Sequence, residues 1–546
     1  MTSVSPSEPA DPRPLAASLR AAGVADILVD EASRAHYSSD ASLYRLVPTA
    51  VVRPRHVDDV AATLGVCAQS SVPVVARGAG TSVAGNAIGT GVVLDFSRHM
   101  DQVLDLDPAS GSARVQPGVV QATLQRAAGQ HGLLFGPDPS TMSRCTIGGM
   151  IGNNACGSRT LGYGRTSDNV TGLDLLTASG AALRLQPGVD PRTSNHGEGA
   201  RILTQLGDVV GSGLATIRTE FGTFGRQVSG YALEALLPER GFDVARFLVG
   251  SEGTLGVVTE ATVRLVQAPP HRVLVVLGFA EIATAGDATM AVLAHEPTAC
   301  EGLDARIIDV VRRRRGPAEV PELPRGEAWL FVELAWEAVA DVLLAARALV
   351  ESVDALDSRT VTDPSEAAAL WRIRADGAGL SGRSTTNRPA HAGWEDAAVP
   401  PAHLGAYLRE FDALLDSHGL AGFPFGHFGD GCLHVRLDFP LDRPDGTTRF
   451  RAFLDDAADL VVRFGGSLSG EHGDGRARSD LLPRMYSPAA LSLFGAVKHV
   501  FDPTHLMNPG VLVVPEPATE SLRIPAAPPL RRKLAFAYEA DDGDFA

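Results

Sequence analysis

Two short stretches carry most of the side chains able to do chemistry. FGHFGDGCLHV, residues 425–435, sets two histidines around Asp430-Gly431, the dipeptide that most strongly signals a two-residue hairpin. Counting outward from that turn places His427 directly opposite His434, with Cβ atoms about 4.5–5.5 Å apart, a separation from which two imidazoles can share one metal ion. GGSLSGEHGDG, residues 465–475, offers a third ligand. Adjacent side chains of a regular strand point to opposite faces, but Gly470 and Gly473 free the backbone, so Glu471 and His472 can face one pocket. Two His and one Glu around a divalent ion, with a position left open for substrate, is a common catalytic zinc arrangement. The competing readings are a surface histidine pair and a glycine-rich loop with an incidental charged pair.

A second set of stretches suits a large ligand. VPVVARGAGTSVAGN, residues 72–86, is an apolar run that breaks into glycines and hydroxyls, as a strand does when it ends in an anion-binding loop. Gly78 and Gly80 allow positive φ, so that successive N–H groups converge; Thr81 and Ser82 add hydroxyls and Arg77 adds charge. No Gly-Lys-Ser/Thr follows, and the next segment lacks a 3.6-residue pattern, so neither a Walker loop nor a Rossmann turn fits. Taken alone the loop reads equally as a glycine-rich surface turn. FGPDPST (135–141) and TIGGMIGNNACG (146–157) are too rich in Gly and Asn for a core. They suit backbone lying flat against a planar ligand, with Thr146, Asn153 and Asn154 at ring edges. FLVGSEGTLGVVT (247–259) repeats the strand-loop-strand style.

The elements that must position these stretches read as α+β. Helical spacing covers 15–28, and Val57, Val60, Ala61, Leu64 and Ala68 fall on one helix face, with Asp58 and Asp59 in the first turn. Strands are expected at 72–76, 91–96, 102–106 and 113–116, a helix at 119–131, and a hairpin joining 170–178 to 183–186 around Ser179-Gly180. Pro269-Pro270 marks a boundary. Beyond it strand and helix alternate twice, with strands at 272–280, 305–310 and 328–334, a split βαβ or ferredoxin-like pattern. Helices at 402–417 and 449–464 bracket the histidine hairpin. The resulting divisions are an N-terminal helical extension (1–47), a ligand-binding domain (48–268), a second domain with the histidine cluster (269–514) and an extended tail (515–546).

Composition narrows the function classes. With 546 residues, 45% hydrophobic and 21% charged, the chain is an ordinary multi-domain globular protein. A net charge of -16 disfavours nucleic acid and anionic membranes as partners. Lys498 and Lys533 are the only lysines. Five cysteines, Cys67, Cys145, Cys156, Cys300 and Cys432, are scattered without a C-x-x-C pair, so neither a disulfide framework nor an iron–sulfur cluster is encoded. Residues 1–14 lack an apolar leader core, and no run of about 18 apolar residues occurs. The expected location is cytoplasmic, peripheral at the membrane at most.

In this order the stretches resemble the vanillyl-alcohol oxidase and p-cresol methylhydroxylase flavoproteins, in the branch that holds FAD-linked D-lactate dehydrogenase, D-2-hydroxyglutarate dehydrogenase and the glycolate oxidase flavin subunit. The resemblance spans residues 48–514. It implies a two-part FAD-binding domain of the p-cresol methylhydroxylase type followed by a ferredoxin-like substrate (cap) domain. FAD would be held without a covalent bond, since residues 77–82 contain no histidine. Its contacts would come from Arg77, Gly78, Ala79, Gly80, Thr81, Ser82, Pro137, Asp138, Thr146, Gly149, Asn153, Asn154, Gly157, Glu252, Gly253, Val258 and Asn508. By the same resemblance His427, His434 and Glu471 bind a divalent metal, zinc first among the candidates, and His472 is the base. Arg374, in LWRIR (370–374), would take the substrate carboxylate.

The implied reaction is oxidation of a D-lactate-like or D-2-hydroxyglutarate-like acid to the 2-oxo acid. Hydride would pass from Cα to flavin, the proton to His472, and electrons to an iron–sulfur partner, quinone or cytochrome. An oxidase using oxygen and a catalytically inert flavin electron-relay subunit are the alternatives. Cys432 and Arg436 stand where relatives carry Asn, Val511 replaces a lysine, and no lysine lies near Gly393-Trp394; these departures bear on substrate identity. LRRKLAFAY (530–538) resembles the connector that leads, in fused relatives, into an iron–sulfur half. It implies an iron–sulfur partner or a missing C-terminal domain docking near residues 515–546, the other reading being a plain disordered tail.

Overall fold

A computed structural model describes residues 11–316, 320–380 and 388–523. The connector-like stretch at 530–538 therefore lies outside the described residues, as does most of the expected tail.

The first sheet runs in the order Ile27–Leu28, Ala50–Val52, Val92–Asp95, Val74–Arg77, with the last three strands parallel. Ala50 to Val52 and Val92 to Leu94 are wholly buried, the continuous apolar pattern of parallel strands covered on both faces. Helices Pro12–Ala21 and Val57–Ser70 share its core through Leu15, Leu19, Val60, Leu64 and Cys67. The predicted helix at 57–68 forms and ends at Ser71, which is left-handed. The helix expected at 15–28 instead starts at Pro12 and stops at Ala21, leaving Ile27–Leu28 to join the sheet.

Strand Val74–Arg77, which runs into the glycine loop, is the edge of this sheet. The far end of the chain covers it: Val74 N donates to Leu506 O at 2.8 Å and Asn508 N to Val74 O at 2.9 Å. Buried Lys498 holds that segment in place, with Nζ 2.7 Å from Asp502 Oδ2, 2.7 Å from Met507 O and 2.6 Å from Thr254 O. This isolated bridge satisfies the N–H and C=O of Val74 at the start of the edge strand.

The second sheet is antiparallel, in the order Val103–Asp107, Ser112–Val115, Val257–Arg264, Val170–Leu176, Ala182–Leu185. Burial alternates along Val257–Arg264, which has one face on the core. The hairpin predicted around Ser179-Gly180 is present, with Gly180 at φ +82°.

The C-terminal half is built on a six-stranded antiparallel sheet, in the order Asp357–Val361, His271–Phe279, Ala328–Trp336, Ala299–Asp304, Phe425–His427, Cys432–His434. Its first four strands interleave two crossovers, which is the ferredoxin-like pattern, and the histidine hairpin extends the edge through Gly302 and Gly426. Strand parity sorts the two faces: Leu274, Val276, Leu303 and Phe331 meet Ile308, Leu370 and Ile373 on one side. Val273, Val275, Leu330 and Val332 meet Ala283, Val342 and Leu349 on the other. The strand expected at 305–310 is instead the start of helix Ala305–Arg315, and the strand is Ala299–Asp304. Two signals mislead there: Glu301 and Gly302 dilute the strand's apolar pattern, while Ile307, Ile308, Val310 and Val311 recur at helical spacing behind an Asp304 cap. Among the described residues no helix is long and apolar enough to cross a membrane.

Lys498→Met should leave the fully buried Asp502 without a counter-charge, a defect that costs about 3–5 kcal/mol. Denaturant titration should show the loss, accompanied by release of any ligand held at the glycine loop; an unchanged midpoint would show that the strand edge needs no such clamp.

Candidate functional site

Asp430-Gly431 does not form the expected two-residue turn. Residues Phe428–Asp430 make one 3₁₀ turn, Gly431 is left-handed at φ +73°, and the last pair is His427 with Cys432, so that Phe425 faces His434. The longer turn packs Phe428 against Gly302, where a Cβ would come 2.3 Å from the ring, and turns Asp430 toward Arg226, 3.0 Å away. The register is thus displaced by two residues. An even displacement keeps every side chain on its face, so the two histidines become diagonal neighbours. Their rings meet edge to face, and their Nε2 atoms are 3.2 Å apart.

Glu471 completes the set. Its Oε1 lies 3.2 Å from Nε2 of His427 and 3.2 Å from Nε2 of His434, so three donor atoms form an equilateral triangle. A tetrahedral ion bound at about 2.0–2.1 Å needs ligands about 3.3 Å apart, which this set matches. His472 stacks on His434 with centroids 5.1 Å apart, its Nε2 3.4 Å from the same Oε1.

One buried carboxylate explains how neighbouring Glu471 and His472 both face the cleft. Asp396 accepts the N–H groups of Gly470 at 3.0 Å, Glu471 at 3.1 Å and His472 at 2.8 Å, wrapping the loop around itself. Gly473 takes φ +77°, and a Cβ on Gly470 would come 2.6 Å from Cys432 Sγ, so both glycines are required. Asp396 Oδ1 also stands 3.7 Å behind His472 Nδ1, and Asp396, His434, Glu471 and His472 present ligand atoms within 4.8 Å of one another.

Behind His427 lies Glu301, fully buried on the strand face that packs against helix Pro364–Leu380. Its Oε1 is 2.5 Å from His427 Nδ1 and its Oε2 accepts from Arg374 Nε at 2.7 Å. Burial opposes the charge on Glu301, but Arg374 and His427 overcome it and hold the carboxyl at about 2. Burial also opposes charge on His427, yet Glu301 and Glu471 push it up to about 9. Against burial, His427 draws Glu471 well below the usual carboxylate range, and Asp396 and Glu471 raise His472. Such a site attracts positive charge.

A cleft of about 840 Å³ is lined by Arg77, Gly78, Ala79, Gly80, Thr81, Ser82, Thr146, Gly149, Asn153, Glu252, Gly253 and Val258. Twelve of the seventeen residues expected at the cofactor therefore meet on one set of walls. Gly80 has the expected positive φ of +67°. Gly78 is needed for close approach instead: a Cβ there would come 2.0 Å from Thr146 Oγ1. Arg77 does not offer its charge to the loop; its guanidinium donates to the carbonyls of Ser39 at 2.9 Å and Ala87 at 3.2 Å and lies over the Tyr37 ring.

The other five expected residues brace the walls. Pro137 O accepts from Gln121, Asp138 holds Ser158 and Arg159, Asn154 Oδ1 accepts from Ser167 N, and Asn508 Nδ2 donates to Asn86 O and Glu252 O. Gly157 N donates to Glu471 Oε2 at 3.0 Å. A larger cleft of about 2230 Å³ shares Ala79 to Ser82, Gly149 and Asn153 with the first and continues to Arg374, His427, His434, Arg436, Glu471 and His472. Asn153 donates to His472 O at 2.9 Å across the junction.

Sequence reasoning missed Glu301, Asp396 and Arg226. A glutamate inside an apolar strand was a usable signal for Glu301. Asp396 follows Trp394-Glu395 in a stretch with no periodic pattern, and Arg226 carries no local signal.

The chain matches the family model FAD linked oxidases, C-terminal domain, over residues 268–512 and the FAD binding domain model over residues 48–186. It is 33% identical over 521 residues to the D-2-hydroxyglutarate dehydrogenase of Pseudomonas putida, covering 91% of this chain and 51% of that protein. It is 30% identical over 486 residues to glycolate oxidase subunit GlcD of Bacillus subtilis, covering 88% of this chain and 92% of that one. The chain thus spans about half the length of the curated D-2-hydroxyglutarate dehydrogenases it matches. A crystal structure of p-cresol methylhydroxylase with substrate bound superposes with a TM-score of 0.64, covering 92% of this chain and 96% of that one at 14% identity, a likeness of fold.

The glycine walls of the cleft, formed by Gly78, Gly80, Gly149 and Gly253, let backbone approach a flat ligand closely, as FAD requires. Gly78→Ala should displace Thr146 and remove most bound flavin while leaving the far-UV circular dichroism intact. Full flavin content in the purified variant would show that the contact with Thr146 does not shape the site.

Proposed function

Because this chain belongs to the FAD-linked oxidase family, we propose that it oxidises a D-2-hydroxy acid to the 2-oxo acid with FAD and a divalent metal ion. The observation that carries the reading is the triangle of His427 Nε2, His434 Nε2 and Glu471 Oε1, each 3.2 Å from the others, on a cleft continuous with the glycine-walled one. FAD supplies the hydride acceptor, and the ion, zinc first among candidates, supplies Lewis acidity toward hydroxyl and carboxylate oxygens. His427, His434 and Glu471 would hold that ion.

His472 would take the hydroxyl proton on Nε2 as the Cα–H bond breaks, with the Asp396 carboxylate 3.7 Å behind Nδ1 offering charge to the imidazolium that forms and the His434 ring stacked against it. Positive charge at the ligand set offsets Glu471 and favours the neutral imidazole that a base requires. Arg374 lies at the back of the cleft, already paired with Glu301. Arg436 lies on the wall, held only through Nε by Glu395 at 3.4 Å, and its terminal nitrogens make no hydrogen bond among the described residues. Both draw carboxylates into the cleft, Arg436 favouring an acid with a second one. Electrons then leave to an acceptor not built by the cysteines of residues 1–546, which are five, free and buried: an iron–sulfur partner or further domain, a quinone or a cytochrome.

A panel of D- and L-2-hydroxy acids with an artificial electron acceptor, run with and without chelator, tests the reading. His472→Ala should keep its flavin and slow substrate-driven flavin reduction by about 10²-fold or more. Flavin reduction at the wild-type rate by every acid would sink the assignment. Arg436→Gln should lower kcat/KM for dicarboxylic hydroxy acids about tenfold, the worth of one charge-assisted hydrogen bond, and spare monocarboxylic ones. Equal loss for both classes would place the second carboxylate elsewhere.

A further inference from the structure

Arg226 lies in a loop after helix Gly197–Glu220, in no motif, yet its side chain is 0% exposed. NH2 donates to Asp430 Oδ2 at 3.0 Å, Thr160 Oγ1 at 3.0 Å and Gly157 O at 3.2 Å; NH1 reaches Gly470 O and Glu471 Oε2, each at 3.4 Å. These partners come from three separate segments. Asp430 sits in the turn between the two cluster histidines, Gly470 and Glu471 belong to the loop wrapped on Asp396, and Gly157 and Thr160 follow the glycine-rich cofactor segment.

Two donors, Arg226 NH1 and Gly157 N, converge on Glu471 Oε2, which leaves Oε1 alone facing the histidines. We infer that Arg226 is a positioning residue that fixes Glu471 as a one-oxygen ligand and joins the metal site to the flavin-binding half. The inference rests on the metal reading above. A planar fork lets one cation hold Asp430 with one nitrogen and Glu471 with the other; a lysine of equal charge carries its donors on a single nitrogen and lacks that fixed fork. Were Arg226 present only to offset buried Asp430, a lysine would serve and the metal affinity would not depend on the fork.

The test is zinc affinity of the flavin-loaded protein, measured by chelator competition for the wild type, Arg226→Lys, Arg226→Met and Thr160→Val, with flavin content and circular dichroism as controls on folding. Both Arg226 variants should weaken zinc binding by about 10- to 100-fold, as loss of a group orienting a ligand does, with the lysine no better than a partial rescue. Thr160→Val removes one partner of the guanidinium without stranding a charge, so it reports if the Arg226 variants do not fold; a weakening of at least about twofold is expected. Unchanged affinity in Arg226→Lys, or in Thr160→Val where that variant alone folds, overturns the positioning role and leaves the metal reading standing. A wild-type protein that binds no zinc or other divalent ion overturns both.

Discussion

A buried carboxylate must be compensated where it stands, and Glu471 is the one on which this molecule turns. Ions removed from water cost several kcal/mol each unless paired and hydrogen-bonded. Glu471 is met by three imidazoles, one backbone N–H and one guanidinium. The carboxylates in and around the cluster, Glu301, Asp396, Asp430 and Glu471, outnumber the guanidiniums bonded to them, Arg226 and Arg374. The excess negative charge bears on the histidines: Glu301 and Glu471 push His427 up to about 9 against its burial, and the same field favours a cation there.

The same requirement joins the two halves of the chain. Gly157 and Arg226, from the flavin-binding half, bond to Glu471; Asn153 bonds to the His472 carbonyl; Glu252 accepts the N–H groups of Asp474 at 2.7 Å and Gly475 at 2.8 Å. Arg159 adds a forked pair with Glu333 on the C-terminal sheet, at 2.7 and 2.8 Å, while holding Asp138 behind the cofactor cleft. A reaction between substrate and flavin needs the two sites in fixed relation, and these contacts supply it beside a hydrophobic core shared by both halves, in which Phe221, Tyr231 and Phe247 meet Phe494 and Phe501.

Glycines set how closely the segments approach. At Gly78 the neighbour is a threonine hydroxyl, at Gly302 a phenylalanine ring, at Gly470 a cysteine sulfur. Each is a position where a methyl group would occupy the space of a partner far away in sequence, so the glycine density of these stretches reflects packing of segments as much as contact with a ligand.

Much was legible in the amino-acid sequence alone. Apolar spacing marks helices Val57–Ser70, Leu404–His418 and Gly446–Arg463, the two larger sheets before Pro269 follow the runs of Val and Leu, and the gathering of Gly, His and Glu announces both clefts. Period, turn chemistry and composition act over a few residues and can be read locally. Tertiary structure alone decided the rest. The hairpin took a longer turn because Phe428 had to meet Gly302 and Asp430 had to meet Arg226; Arg77 turned its charge to the carbonyls of Ser39 and Ala87; Arg374 found Glu301, 73 residues away. Glu471 found Arg226 across 245 residues and Gly157 across 314. Compensation of a buried charge depends on which groups arrive from elsewhere in the chain, and no local pattern carries that information.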